Sequence, residues 1–155
     1  MYGLTVLLGG LLLSGCNNAE TASNSGAGSE EDTQLEINVA RLLDTNECKR
    51  CNLRNAELAD AILEFSDLSN ANLSNANLQR SDLQQADLYD ANLKNANLSN
   101  TKMTNANLMK ADLTGADLSD AIVTGAYFFD ANLTDAIWTD GSTCVSKSCS
   151  NKAYD

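Results

Sequence analysis

Residues 71–100 read ANLSNANLQRSDLQQADLYDANLKNANLSN, and a leucine stands at every fifth position of this stretch, beginning with Leu73. The same spacing extends in both directions, from Cys51 to Asp140, without an insertion and gives eighteen consecutive pentads. A small residue, most often alanine, stands two positions before each central residue. The central residues are Leu53, Leu58, Leu63, Leu68, Leu73, Leu78, Leu83, Leu88, Leu93, Leu98, Met103, Leu108, Leu113, Leu118, Val123, Phe128, Leu133 and Trp138. The fold of most of the chain must therefore accommodate this five-residue repeat.

A period of five fits neither a continuous helix nor a flat strand. At about 100° per residue, a helix would carry successive central residues around its whole circumference. In a strand, an odd period would place them on alternate faces. The chain must therefore turn once in every pentad, with the small and central residues facing inward and the other three residues outward. This arrangement predicts an all-β solenoid whose coils stack through backbone hydrogen bonds. The outward Asn, Asp, Ser and Thr residues suit the corners, as do Gly115 and Gly125.

The motif of alanine, Asn or Asp, leucine and two variable residues resembles that of the pentapeptide-repeat family, over about ninety of the 155 residues. The resemblance implies a right-handed quadrilateral β-helix with four pentads in each coil, so that residues twenty positions apart stack. On that basis the solenoid, residues 48–140, is a rod on the order of 22 Å tall. Its interior has room for leucine and alanine but offers no cavity for a small-molecule substrate.

The N-terminal segment predicts export and lipidation. Residues 1–15 are uncharged and run apolar from Leu4 to Leu13, which is typical of a signal-peptide core and too short for a spanning helix. The junction Leu13-Ser14-Gly15-Cys16 resembles the lipobox of bacterial lipoproteins, which implies a lipid on Cys16. Met1-Tyr2-Gly3 departs from the pattern because it lacks the usual positive charge. The alternative is a buried apolar segment with an incidental cysteine.

Two further segments lie between Cys16 and the solenoid. Residues 16–32 are rich in Asn, Ser, Gly and Glu, which predicts a flexible tether. Residues 33–47 are predicted to form a helix, because Thr33 and Glu36 have capping-box spacing and Leu35, Val39, Leu42 and Leu43 form an apolar side. An open solenoid needs a cap at its first coil, so we interpret this helix as a cap, with a partner-binding helix as the alternative.

The charge distribution argues against binding to nucleic acid. Residues 17–48 carry seven acidic residues and one arginine, and residues 49–140 carry thirteen acidic and seven basic residues, within a net charge of −11. Phosphate binding depends on clustered Lys and Arg, which this chain lacks. Anionic lipid should likewise be repelled, so membrane attachment depends on the lipid anchor. The chain also has no histidine and no nucleophile with a base nearby, so we predict no enzymatic activity and no cofactor.

The five cysteines divide into Cys16 and two pairs, Cys48 with Cys51 and Cys144 with Cys149. The pairs flank the whole rod, and ends ~20 Å apart cannot share one zinc ion. Two local disulfides fit an exported protein. The second pair would loop the tail, residues 141–155. The alternative for Cys48-Lys49-Arg50-Cys51 is a redox motif, because neighbouring basic residues lower a thiol pKa. Phe128, Leu133 and Trp138 are expected to fill the last coil.

Outward side chains twenty positions apart stack into columns on the surface of the rod. Any function must be carried by these columns. One column runs from polar to apolar through Ser69, Tyr89, Met109 and Phe129, with Tyr127 beside Phe129. Tyr89, Met109, Tyr127 and Phe129 form a candidate interaction surface; the alternatives are scattered surface hydrophobes or cover by a terminal segment. Two acidic dyads also stack, Asp67 on Asp87 and Asp120 on Asp140. We interpret them as solvated carboxylates, since a calcium site needs six or more oxygens.

Together these features predict a lipid-anchored extracytoplasmic solenoid of the bacterial cell envelope that serves as a structural or protein-interaction module. The expected partners are the membrane, through the lipid, and an unidentified protein or a second copy of the chain. The resemblance also supplies an alternative, because the family's quinolone-resistance members resemble acidic duplex DNA and bind DNA gyrase. A redox role for the Cys48–Cys51 motif is a third possibility.

Overall fold

The computed structural model describes residues 30–145 and residue 149. The predicted signal peptide, Cys16 and most of the predicted tether lie outside these residues. The described chain begins with one helix, α1 (Glu30–Thr45). The β-structure that follows, from Glu47 to Thr143, consists of single bridged residues, one in each pentad, and not of extended strands.

The bridges give the register of the coils directly. From Glu47 to Ile137, each bridged residue pairs in parallel with the residue twenty positions away, as Asn52 does with Asn72 and Asn72 with Asn92. The Leu53 N–H donates to the Asn72 carbonyl oxygen (2.7 Å), and the Asn72 N–H donates back to the Cys51 carbonyl oxygen (2.9 Å). A repeat of twenty residues is four pentads, which confirms the predicted four-sided coil.

Every pentad turns because its corner is a hydrogen-bonded β-turn. In the turn after Leu73, the Ala76 N–H donates to the Leu73 carbonyl oxygen (3.0 Å), and Asn75 has a φ of 57°. Positive φ at the third turn residue is the pattern of a type II turn, which favours Asn and Gly. A side-chain hydrogen bond supports the corner, since the Ser74 N–H donates to Asn72 Oδ1 (3.2 Å). Asn and Asp recur for two reasons. They tolerate the positive φ of the turn, and in the residue before the central one their side-chain oxygen accepts a hydrogen bond from a turn N–H.

The inward residues form one continuous core. All the central residues named above are buried except Val123, which is partly buried and packs against the core. Near the C-terminal end, the Phe128 and Trp138 rings pack edge to face, with centroids 5.4 Å apart. Among the small inward positions, the Ser66 and Ser81 hydroxyls are buried without a hydrogen-bond partner. The Thr101 hydroxyl, by contrast, donates to the Leu98 carbonyl oxygen (2.7 Å).

Helix α1 packs against the first coil, with two corrections to the prediction. The helix begins at Glu30, so Thr33 lies inside it and is not the N-cap, and residues 30–32 are helical instead of part of a tether. The acidic residues of its first turn suit the positive end of the helix dipole. Leu42 is fully buried, but Leu43 is 53% exposed, because a rotation of about 100° turns the next side chain away.

Asparagine side chains donate hydrogen bonds to carbonyl oxygens at the open edge of the first coil. In the stacked coils, a carbonyl such as that of Asn72 accepts a backbone N–H from the coil below it. Within residues 30–145 no coil lies below Asn52, and its carbonyl oxygen accepts instead from Asn38 Nδ2 (2.8 Å). The Glu64 carbonyl oxygen accepts from Asn46 Nδ2 (3.3 Å) in the same way. Asn38 is buried, and its own oxygen accepts from Gln34 Nε2 (3.1 Å).

At the C-terminal end, the chain folds back onto its own last coil. After Gly141 the backbone reverses, and Thr143 forms an antiparallel bridge with Ile137. The Trp138 N–H donates to the Ser142 carbonyl oxygen (2.7 Å), and the Cys144 N–H donates to the Ala136 carbonyl oxygen (2.8 Å). This return strand covers one side of the terminal edge with backbone hydrogen bonds.

Candidate interaction surface

Three of the four residues predicted to form an interaction surface stack at intervals of twenty residues, Tyr89, Met109 and Phe129, and Tyr127 belongs to the same pentad as Phe129. We call Tyr89, Met109, Tyr127 and Phe129 the aromatic patch. Tyr127 and Phe129 are exposed, by 53% and 62%, whereas Tyr89 and Met109 are half-buried. Ser69, at the start of the same column, is only 3% exposed, so the column does not extend to the first coil as an accessible surface.

The backbone fixes the direction of the patch residues. Tyr127 and Phe129 flank Phe128, which points inward, so alternation along the chain sends both neighbours outward. Phe129 is the first corner residue of a turn that the Ala131 N–H closes on the Phe128 carbonyl oxygen (3.0 Å). The preceding coil aligns with it, since the Lys110 N–H donates to the Phe129 carbonyl oxygen (2.9 Å). The patch is therefore held on a rigid backbone.

Charged groups border the patch at the adjoining corner. The Lys110 ammonium nitrogen lies 5.4 Å from the Tyr89 ring centroid, in cation–π geometry. Its interaction with Tyr89, followed by the nearby Asp90 and Asp130 carboxylates, raises the pKa of Lys110. This corner therefore combines one cation with two anions.

The predicted acidic dyad of Asp67 and Asp87 is present as a parallel bridge. The Ser69 hydroxyl donates to Asp67 Oδ1 (2.6 Å), and this hydrogen bond, opposed by partial burial, lowers the pKa of Asp67. Asp87 Oδ1 accepts from Asn107 Nδ2 (2.9 Å) and from the Tyr89 N–H (3.0 Å). These carboxylates therefore serve the backbone and neighbouring side chains. Among the described residues, no group of three or more metal-ligating side chains comes together.

The cysteines pair as predicted, Cys48 with Cys51 and Cys144 with Cys149. All four are buried, and Cys48 and Cys51 belong to the first coil. Arg41 Nη1 lies 4.0 Å from the Cys51 sulfur, on the flank of α1 that faces this disulfide. Cys16, the predicted lipid attachment site, lies outside the described residues.

Apolar side chains are also exposed at the N-terminal end of the rod, where the sequence pattern did not predict an exposed surface. Ile37 and Leu43 of α1 are about half exposed, and Ile62 and Phe65 of the first coil are 75% and 65% exposed. Phe65 also has a φ of 61°, which is uncommon for a bulky residue. Phe65 and Ile62 interrupt columns of mainly polar residues, and that interruption was a signal available in the sequence.

The comparisons with known proteins agree with this geometry. The family described as pentapeptide repeats (8 copies) matches the chain at residues 47–85 and again at residues 86–125. The chain belongs to the pentapeptide-repeat family. Proteins of this family are generally non-enzymatic structural or interaction proteins. Their solved structures imply a right-handed quadrilateral β-helix, as predicted.

Several solved pentapeptide-repeat structures are similar to this one. A pentapeptide repeat protein (Rfr23) from the cyanobacterium Cyanothece 51142 is 36% identical with a TM-score of 0.64, over 66% of this chain and 83% of that chain. HetL from Nostoc, involved in heterocyst differentiation regulation, is 32% identical with a TM-score of 0.38, over 63% of this chain and 51% of that chain. QnrB1, a plasmid-mediated fluoroquinolone resistance protein, is 30% identical with a TM-score of 0.31, over 59% of this chain and 50% of that chain. Among curated protein sequences, none is significantly similar.

The described part of this pentapeptide-repeat protein contains no helix that is both long and apolar enough to cross a membrane. Helix α1 is only 16 residues long and carries several charges. The features that remain for function are the aromatic patch, the exposed apolar residues at the N-terminal end and the acidic surface between them.

Proposed function

We propose that this pentapeptide-repeat protein is a non-catalytic protein-interaction module, held at a bacterial cell envelope by a lipid on Cys16. The observation that carries the proposal is the aromatic patch, in which Tyr127 and Phe129 are exposed on a rigid face. Exposed aromatic clusters commonly mark protein interfaces, where tyrosine is enriched among the residues that contribute most to binding.

The rigidity of the face favours binding. Interface formation costs the entropy of immobilising side chains and loops. Here, the hydrogen-bonded coils hold the backbone of Tyr127 and Phe129 in place before any partner arrives. Full burial of an aromatic side chain contributes about 1.5–3 kcal/mol, and each of these two has roughly half of its surface still to bury. The pair alone therefore contributes on the order of 2 kcal/mol to an interface.

Helix α1 is proposed to cap the solenoid and thereby keep the coil ends from pairing with other chains. An unpaired edge is a template for aggregation, and repeat proteins need terminal caps. The hydrogen bonds from Asn38 to the Asn52 carbonyl and from Asn46 to the Glu64 carbonyl support this role. The cap leaves the face that bears the aromatic patch as the surface for a partner.

The proposed anchor rests on the sequence. The uncharged apolar run from Leu4 to Leu13 ends at the lipobox-like junction before Cys16. The two disulfides of the described chain support export, since disulfides form and persist mainly in oxidising compartments. The acidic body disfavours direct contact with anionic lipid, which leaves the lipid as the means of attachment.

Mimicry of DNA is the second candidate, and the net negative charge favours it. The charge of the rod is nevertheless sparse. Residues 49–140 have a net charge of −6 over a height on the order of 22 Å, or roughly one charge per 4 Å, whereas duplex DNA carries about one per 1.7 Å. Ion pairs also interrupt the acidic columns, as between Lys102 and Asp82 (3.1 Å) and between Lys94 and Asp112 (3.1 Å). The protein-interaction module is therefore the better-supported candidate.

The interaction is tested by replacing both exposed aromatic residues, Tyr127→Ser with Phe129→Ser, in cells of the source organism. Cross-linking followed by mass spectrometry should show loss of the proteins recovered with the wild-type chain. The matched control is Ile62→Ser with Phe65→Ser. It also removes two exposed apolar side chains, one aliphatic and one aromatic, but from another face of the rod. An unchanged set of cross-linked proteins in the Tyr127/Phe129 variant would reject the aromatic patch as the interface.

The anchor is tested by membrane fractionation of the wild type and of Cys16→Ser. We expect the wild type in the membrane fraction, and we expect the variant to be released or left unprocessed. A wild type that stays in the cytosol with an unmodified Cys16 would reject the lipoprotein proposal and favour a cytosolic partner such as gyrase. Binding of purified gyrase can then be measured directly.

A further inference from the structure

We infer that the groove between helix α1 and the first coil is a second docking site, which takes a basic amphipathic segment of a partner protein. The groove has a volume of about 650 Å³, within the range of ordinary ligand pockets. We call it the N-terminal groove and define it by six of its lining residues: Leu35, Glu36, Val39, Ala40, Leu43 and Glu57. It lies at the N-terminal end of the rod, away from the exposed Tyr127 and Phe129, so the inference does not depend on the proposed function.

The groove exists because α1 packs on the coil along only one side. Leu42 and Asn38 are buried against the first coil, whereas Leu43 is 53% exposed on the flank next to them. Leu35 and Val39 are partly buried and form the boundary between the two sides. Apolar side chains thus continue from the buried contact into an open groove. As far as the described residues show, no other part of the chain covers Leu43.

Acidic residues accompany the apolar floor. Glu36 lies on the helix side of the groove and Glu57 on the coil side. Helix α1 as a whole carries five acidic residues and a single base, Arg41, which faces the Cys51 sulfur on its other flank. A segment that fills the groove therefore gains from apolar side chains on one face and Lys or Arg along its borders. An amphipathic helix in an apolar groove is a recurrent mode of peptide recognition.

The charge also decides among the possible occupants. A second copy of the chain would bring its own net charge of −11 against the same acidic border. An anionic membrane surface is disfavoured for the same reason. Residues 17–29 of this chain contain no large apolar side chain with which to fill the groove. A basic amphipathic segment of another protein is the occupant that complements both the apolar floor and the acidic border of the groove.

The test uses the full-length chain and synthetic peptides of about 14 residues, roughly four helical turns. The probe is an amphipathic leucine–lysine peptide, and its control has glutamate in place of every lysine. We expect the lysine peptide to bind by fluorescence anisotropy and the glutamate peptide not to bind. Equal binding of both peptides would overturn the role of the acidic border, and failure of the lysine peptide to bind would overturn the site.

Variants of the chain locate the binding. Leu43→Ser should weaken it about tenfold by removing apolar contact. The matched control is Ile122→Ser, since Ile122 is 51% exposed but lies near the other end of the rod, and it should bind like the wild type. Glu36→Lys should weaken binding about fivefold, whereas Glu64→Lys, on another face, should not. Circular dichroism verifies that all four variants remain folded.

Two results would overturn the inference at this stage. One is that Leu43→Ser and Ile122→Ser bind the lysine peptide equally well. The other is that Glu36→Lys and Glu64→Lys bind the lysine peptide equally well. Neither result bears on the aromatic patch, whose own test uses Tyr127 and Phe129.

Discussion

At the two ends of the rod, different groups form hydrogen bonds with the outermost coil. At the N-terminal end, side-chain amides of Asn38 and Asn46 donate to carbonyl oxygens of the first coil. At the C-terminal end, the backbone folds back and Thr143 pairs with Ile137. Each end also carries a disulfide between cysteines close in sequence. Individual side chains therefore contact the coil at one end, and the backbone of the chain itself pairs with the coil at the other.

This difference determines how each end can be weakened. A single substitution can remove a side-chain donor such as Asn38, but no substitution short of proline removes the backbone N–H groups of the return strand. The C-terminal end is vulnerable instead in its interior, where Trp138 fills the last coil against Phe128. In a solenoid, each coil contacts only its neighbours, so damage at either end should remain local.

The largest effect is expected from Trp138→Ala at the C-terminal end. Trp138 is 3% exposed, and loss of a buried aromatic side chain typically costs 3–5 kcal/mol. We expect the free energy of unfolding in urea to fall by about this amount. Trp138→Phe, which retains an aromatic ring, should lose much less. Hydrogen exchange should increase in the last coil only; a uniform increase along the rod would contradict the local coupling.

Leu42→Ala is the corresponding substitution at the N-terminal end. Leu42 is fully buried between α1 and the first coil, so its truncation should cost about 2–5 kcal/mol. The neighbouring residue offers a matched control, because Leu43→Ala removes the same atoms from an exposed position and should change stability by less than about 0.5 kcal/mol. Thermal unfolding of both variants measures the difference. Equal losses would show that α1 does not pack as described.

The role of Asn38 as a replacement for a missing coil is tested by Asn38→Ala. The substitution leaves the Asn52 carbonyl oxygen without its donor, which should cost about 1–3 kcal/mol. Gln34→Ala removes the amide that donates to Asn38 Oδ1 without touching the Asn52 carbonyl bond, and its cost should be smaller. Urea unfolding compares the two. If both variants are as stable as the wild type, closure of the N-terminal edge does not depend on the side-chain amides.

The rod was predictable because its sequence pattern is repeated in every pentad. The residues that form the two ends follow no repeated pattern. Eighteen pentads require a turn every five residues, and any one of them could be misread without changing the conclusion. The number of pentads in a coil does not follow from the period itself. It came from the family resemblance, and the bridges between residues twenty positions apart now show it directly.

The ends were less predictable because single residues decide them. Asn38 stands among the inward residues of α1, and a polar residue in an apolar stripe was a visible signal, but its partner, the Asn52 carbonyl, is defined only by the assembled coil. Leu43 was assigned to the inward side because its type fits, although the geometry favours Leu42. The return of Thr143 onto Ile137 depends on the turn near Gly141 and leaves no periodic trace.

The buried hydroxyl groups provide a smaller test that compares the two halves of the rod. Ser66 and Ser81, in the N-terminal half, have no hydrogen-bond partner, so Ser66→Ala and Ser81→Ala should each stabilise the protein by about 1 kcal/mol. Thr101, in the other half, bonds to the Leu98 carbonyl oxygen, and Thr101→Ala should instead destabilise by about 1 kcal/mol. Melting temperatures measure both signs. Stabilisation by all three substitutions would indicate that alanine is simply the best residue at every small position.

The smallest expected effect is a dependence on pH shared by both halves. The Ser69 hydroxyl lowers the pKa of Asp67. For Asp112, burial raises the pKa, but hydrogen bonds from Thr114 and Lys94 outweigh it, so the pKa again lies below its ordinary value. A carboxyl whose pKa is lower in the folded state stabilises that state above the unfolded pKa of about 3.9. This contribution should therefore be lost as the pH falls below about 4 and through the folded pKa values.

Asparagine substitutions separate the charge from the hydrogen bonds in this pH dependence. Asn already occupies the equivalent position twenty residues before Asp112, at Asn92, so Asp112→Asn should preserve the turn at neutral pH. Because these groups are partly exposed, each should contribute less than about 1 kcal/mol. We expect Asp67→Asn and Asp112→Asn to reduce the loss of stability as the pH falls below about 4, measured by urea unfolding. An undiminished loss in both variants would place the acid sensitivity elsewhere, and a change in only one would show that the two halves of the rod titrate differently.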